Sequence, residues 1–538
     1  MAQSGKTLNK ERIAVYDTTL RDGAQGEGIS FSVEDKVKIA LRLDAFGIDC
    51  IEGGWPGSNP KDIDFFARMR QEKLTHAKLA AFGSTRRPNR KPGEDPMLRE
   101  VLDAETPVVT FVGKSWDFQV REALKIELDE NLRMIEDTVR FLKSEGRIVY
   151  YDAEHFFDGY KENPEYTLKC LRAAADAGVD GNILCDTNGG TLPLEVQEIV
   201  RAVCKAFPGR LVGIHTHNDS ECGVANSLIA IQAGARQVQG TMNGYGERTG
   251  NANLTSIIPA LALKLGYDVL TPQSVSELCD VSAYIDEIGN VTPHGNAPYV
   301  GRSAFAHKAG LHVDAIRKHP KTYEHINPEL VGNERRILVS ELSGSATVLE
   351  KAQKQKLELT KGSPETKAIL QRVAELEHEG YSFEGAEASF ELLVKKYMGG
   401  YEPLFKLKGY RVIVEKRGEE MEPITEATLK IEVAGAEHLT VAEGDGPVNA
   451  LDAALRKALL SFYPEMAHIE LTDFKVRVIN QAEGTAARVR TIVESRERID
   501  GANSKPAVWS TVGVSTNIIE ASWRAVVESI EYGLLRHK

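Results

Sequence analysis

The 538-residue sequence predicts an α/β protein: a (β/α)8 TIM barrel, a small helical linker subdomain, and an α+β C-terminal domain. Three observations predict it. Short apolar runs recur about every thirty residues up to about residue 265, and an amphipathic stretch follows each one. From about residue 270 charged helical patterns dominate. After about residue 406 the period falls to two, the spacing of half-buried strands. The boundaries expected are 1–270 for the barrel, 271–405 for the helical linker and 406–538 for the C-terminal domain.

The barrel candidates are the runs 13–17, 50–54, 78–83, 108–112, 147–154, 182–186, 211–217 and 236–243. Eight such units suit a closed barrel, with a doubly wound open sheet as the structural alternative. Ser32 with Asp35 three positions on marks the start of the first helix. Val37, Ile39, Ala40, Leu43 and Phe46 supply its apolar face, and Gly47 its end. Five of the thirteen histidines cluster between His294 and His325, while the charged run 351–361 reads as a solvated helix face. In the last domain Leu429, Ile431 and Val433 alternate, as do Phe474, Val476 and Val478, and the stretches 487–493 and 508–514 read as further strands. Val448, Leu451, Leu455 and Leu459 form one helical stripe, and Trp523, Val526, Val527, Ile530 and Leu534 another. Strands followed by a helix, twice over, predict two similar halves.

Composition narrows the function. A net charge of −12 with no basic, aromatic-interleaved stripe argues against nucleic acid. No apolar run reaches the ~18 residues of a membrane span, and residues 1–12 lack the apolar core of a secretion signal. Six cysteines without a C-x-x-C pair read as reduced packing thiols, so a cytoplasmic protein is expected.

Candidate chemistry gathers at strand ends. The first strand runs into Asp17-Thr-Thr-Leu-Arg21-Asp22-Gly23, a guanidinium beside a carboxylate. The seventh ends His215-Thr-His217-Asn-Asp219. Residues two apart share a strand face, so both imidazoles aim into the barrel mouth, a geometry that suits a divalent ion. Nitrogen with oxygen donors admits zinc, manganese, iron or cobalt, and magnesium if water completes the shell. The glycine-rich loop after the eighth strand offers Glu247 or Asn251 as an oxygen donor, and Glu154 and Thr187 close the fifth and sixth strands. Asp22, Glu154, Thr187, His217 and Asn251 thus all fall at one end of one barrel.

These three motifs (17–23, 215–219 and Gly246-Glu-Arg-Thr-Gly-Asn251) resemble the signatures of the TIM-barrel metallolyase superfamily. That group holds the 2-isopropylmalate, homocitrate and citramalate synthases and hydroxymethylglutaryl-CoA lyase. Glu443-Gly-Asp-Gly-Pro-Val-Asn-Ala-Leu451 resembles the regulatory domain of the synthases, which the lyases lack. The resemblance implies acetyl-CoA as co-substrate, a 2-oxo acid as acceptor, and a divalent metal ion held by Asp22, His215, His217 and Asn251. It implies Arg21 as oxyanion stabiliser, Glu154 or His312 as the base, and Arg21, Glu154 and Thr187 as substrate-binding residues, with Thr187 holding the substrate carboxylate. Ser303-Ala-Phe-Ala-His307-Lys-Ala-Gly-Leu-His312-Val-Asp314 resembles the motif that covers the mouth in this group. His312, Asp314 and Tyr323 would then act on a partner subunit's barrel in a homodimer, with His307 the weaker candidate.

Within the family, residues 23–31 and 151–159 look most like the long citramalate synthase branch. That branch implies condensation of acetyl-CoA with pyruvate and water in the threonine-independent route to isoleucine, with isoleucine as effector at the C-terminal domain. Asp152 stands where some members of that branch carry a tyrosine. The alternative is 2-isopropylmalate synthesis from 2-oxoisovalerate, with leucine as effector. Retention of Arg21, Asp22 and both histidines favours an enzyme over a sensor built on a relic barrel.

Overall fold

The structure is a computed structural model that describes residues 11–308, 310–337, 363–383, 386–398, 401–479, 486–498 and 507–536; the charged run 351–361 lies outside them. The described residues form two compact units. One takes in those of Met1–Phe305 and His325–Arg335, the other those of Ala306–Glu324 and Arg336–Lys538.

In the first unit eight parallel strands close a barrel: β1 (Ala14–Asp17), β2 (Cys50–Gly54), β3 (Lys78–Ser84), β4 (Val108–Lys114), β5 (Ile148–Glu154), β6 (Gly181–Asp186), β7 (Leu211–Thr216) and β8 (Gln237–Gly240). Closure is made by β1 against β8, with Ala14 opposite Gln237 and Asp17 opposite Gly240, which excludes the open sheet. Both faces of these strands are covered, so they read as near-continuous apolar runs. The eighth is shorter than its run because the chain turns at Met242–Gly244.

The first helix, Val33–Phe46, begins and ends where its residues require. Ser32 Oγ accepts from the Asp35 amide at 3.2 Å and the Asp35 carboxylate accepts from the Ser32 amide at 2.9 Å, satisfying two donors that helix geometry orphans. Gly47 closes it at φ 100°, a left-handed conformation that costs glycine little. Its buried Val37, Ile39, Ala40, Leu43 and Phe46 join the barrel core. No disulfide forms among the six cysteines.

The second unit carries two three-stranded antiparallel sheets, each followed by a helix. After a short parallel pair, β9 (Ala306–His307) and β10 (Arg336–Ile337), the first sheet is β11 (Lys406–Glu415), β12 (Ile424–Val433) and β13 (Ala436–Gly444), followed by helix Pro447–Leu459. The second is β14 (Ile469–Val478), β15 (Val489–Glu497) and β16 (Val508–Ser515), followed by helix Ile518–Leu535. The two halves expected from the repeat are present, with β11 and β13 as strands the sequence pattern did not mark. Leu429, Ile431 and Val433 share one buried cluster with Leu451, Leu455 and Leu459. Helices Pro364–Glu379 and Glu387–Met398, through Ile369 and Phe390, pack together with Phe383 of the intervening segment against Val512 and Val514 of β16. No described helix is long and apolar enough to cross a membrane.

Candidate active site

The turn after β1 carries Arg21 and Asp22, and the end of β7 carries His215 and His217. Asp22 Oδ2 lies 3.3 Å from His215 Nε2 and 3.8 Å from His217 Nε2, and all three residues are buried. Their ligand atoms fall within 4.8 Å of one another. Burial alone would raise Asp22. Arg21, and then His215 through a hydrogen bond and its charge, outweigh that and hold the carboxyl well below the usual range. Burial and then the charge of His215 push His217 down to about 4, so its ring is neutral at pH 7.

Asn251 is brought to this cluster by backbone. It bridges His217 in an antiparallel pair, and Gly250 O accepts from the Asn218 amide at 2.9 Å. Its Nδ2 donates to Tyr245 O at 3.2 Å, while its buried Oδ1 has no hydrogen-bond partner among the described residues. An orphaned buried amide oxygen, on the residue that bridges His217, adds to two imidazoles and a carboxylate a donor of the kind a divalent cation takes. The four residues therefore fit the metal the family implies.

Arg21 sits between carboxylates. Its Nε donates to Glu52, its Nη1 lies 3.3 Å from Asp22 Oδ2, and its guanidinium carbon stands 3.8 Å over the Phe82 ring. Glu52 also accepts from Tyr16 and Thr18, so this fully buried carboxylate is satisfied by hydroxyls and guanidinium. Thr187 Oγ1 accepts from the His155 amide at 2.9 Å, which leaves its own proton to donate. Glu154 is paired with Lys114. Arg248 donates to His217 Nδ1 at 2.8 Å and also binds Asp219 and Thr187 O. A cation at His217 Nε2 would need the ring proton on Nδ1, so Arg248 must exchange that contact for its others.

In the second unit His312 and Tyr323 stack at a centroid distance of 4.0 Å, both exposed, and Asp314 pairs with Lys318 at 2.7 Å. His307 lies 3.5 Å from Glu324. The structure thus gathers Arg21, Asp22, His215, His217 and Asn251 in the barrel, and pairs His312 with Tyr323 in the second unit. Glu52 and Gln239 were missed by the motif reading. Both carried a signal, since a polar residue inside an apolar barrel strand must find partners.

A family profile described as HMGL-like matches residues 12–285, one described as a homocitrate synthase post-HMGL domain matches 299–380, and the LeuA allosteric (dimerisation) domain matches 384–534. The (R)-citramalate synthase of Aquifex aeolicus is 54% identical over 98% of both chains. The chain belongs to the (R)-citramalate synthase family. A second member, from Geobacter sulfurreducens, is 53% identical over 97% of both chains. A probable 2-isopropylmalate synthase of Methanopyrus kandleri stands further off, at 30% identity over 97% of this chain and 98% of its own. Family membership makes this chain an enzyme with an acyltransferase's barrel and an allosteric-type tail.

Proposed function

We propose that this chain condenses acetyl-CoA with pyruvate and water, giving (R)-citramalate and CoA. The convergence of Asp22, His215 and His217, with Asn251 and its orphaned Oδ1 bridged to His217 through backbone, supports the chemistry. The choice of pyruvate is supported by five full-length (R)-citramalate synthases at 46–54% identity, against 30–35% for the 2-isopropylmalate synthases. Asp22, His215, His217 and Asn251 would hold a divalent cation, which when bound would supply Lewis-acid polarisation of the acceptor's keto group.

The chain's own residues do the rest in this reading. Arg21 donates to the keto oxygen as it gains charge, and Glu52 keeps the guanidinium aimed there. Thr187 donates its hydroxyl proton to the substrate carboxylate. Glu154 or His312 takes a proton from the acetyl methyl group, and that carbon bonds to the keto carbon. Water then attacks the thioester, the C–S bond breaks, and CoA leaves as the thiol. His312, Asp314 and Tyr323 act on a partner subunit's barrel in a homodimer, and isoleucine is the effector of the tail.

Acetyl-CoA-dependent thiol release, measured in parallel with pyruvate, 2-oxoisovalerate and 2-oxoglutarate, tests the proposal. Pyruvate should give the highest kcat/KM. Each extra methylene discriminates by only ~1–3 kcal/mol, so a wide margin for 2-oxoisovalerate would transfer the chain to isopropylmalate synthesis.

A further inference from the structure

We propose that Gln239 and Asp152 are positioning residues that together fix the ring orientation and tautomer of His215. The inference rests on the cation site proposed above. Gln239 is fully buried on β8, with Asp152 on β5 and His215 on β7. Its Oε1 lies 2.8 Å from His215 Nδ1, and its Nε2 donates to Asp152 Oδ1 at 3.3 Å.

A carboxamide has two unlike ends, and its partners decide which way it faces. An ionised Asp152 can only accept, so with Asp152 ionised the amide nitrogen belongs on that side. The amide oxygen must then face His215, and an oxygen there only accepts. Nδ1 of His215 therefore carries a proton, and in the neutral ring Nε2 holds the lone pair. Nε2 is the atom 3.3 Å from Asp22 Oδ2. Turning the amide over would set its oxygen against the oxygen of Asp152. Histidine ligands commonly donate their other ring nitrogen to an outer acceptor in this way. His217 has no such acceptor, since its Nδ1 receives a bond from Arg248. His215 is thus the ligand preset by the barrel interior, and His217 is the one that must adjust.

Co2+ binding to the metal-free protein, followed by its visible absorption, tests this without turnover. Gln239→Leu should weaken Co2+ binding by about 10- to 100-fold, the usual effect of losing such a partner. Asp152→Ala frees the amide and should weaken binding in the same direction. Asp152→Asn keeps an acceptor oxygen and should restore wild-type affinity. His217→Ala marks the site. If it leaves Co2+ binding unchanged, the cation reading itself fails. If Co2+ binding depends on His217 but Gln239→Leu matches wild type, that reading stands and the positioning role is overturned. Where Gln239→Leu does not fold, wild-type affinity in Asp152→Ala overturns it equally.

Discussion

Asp17 shows how one buried carboxyl in this barrel serves geometry at a cost in stability. Its oxygens accept from the Thr19 amide and hydroxyl, and Thr19 Oγ1 in turn accepts from the Met242 amide, which ties the turn after β1 to the turn after β8. Burial pushes Asp17 up to about 7, against a lowering by those Thr19 bonds. Between about pH 4 and pH 7 the folded state therefore holds a proton that the unfolded chain releases, and raising the pH destabilises the fold. At or above pH 7 the full cost is present, up to roughly 4 kcal/mol from this group. Asp17→Asn cannot ionise and keeps an acceptor for the Thr19 amide. Urea midpoints of the metal-free protein at pH 5 and pH 7.5 should differ less in the variant than in wild type. Equal differences would contradict this account. Asp152, also raised to about 7 by burial, keeps part of the slope in the variant. His215 and His217 were legible because strand alternation aims both to one face, and Arg21 and Asp22 because a guanidinium and a carboxylate stand together where the first strand ends. Glu52 and Gln239 were not singled out, because their partners lie 31 and 24 positions away in the chain.

Among the elements, the loop from β8 to the next helix depends most on backbone conformation. Gly250 sits at φ 93°, and a Cβ there would meet Gly244 O at 2.0 Å. Gly250→Ala must therefore move the backbone that carries Asn251, and it should lower both affinity for a divalent cation and turnover while the barrel stays folded. Calorimetric titration of the metal-free variant with Mn2+ checks this; unchanged affinity would remove Asn251 from the ligand set. The eight barrel strands were readable because strands buried on both faces leave apolar runs. β11 and β13 were not, although β14 and β16, equally at sheet edges, were. Lys406, Lys408, Arg411 and Glu415 interrupt the first, and most of its residues are exposed. Such charges guard an open edge and erase the alternation that marks a strand.

For the whole molecule, the matched LeuA allosteric (dimerisation) domain and the paired sheet-and-helix halves support a dimer with an effector site in the tail. Sedimentation should find a dimer near twice 59.2 kDa. Isoleucine should raise the melting temperature more than leucine does, and no shift with either amino acid would argue against a tail effector. In the function proposed above, catalysis depends on a cation held by Asp22, His215 and His217. The most direct measurement is acetyl-CoA-dependent thiol release with pyruvate, by protein stripped of metal and then titrated with Mn2+. The account predicts no release until both Mn2+ and pyruvate are present, and none at any Mn2+ concentration in His217→Ala. Full turnover by the stripped protein in excess chelator, or near-normal turnover in His217→Ala, would contradict it.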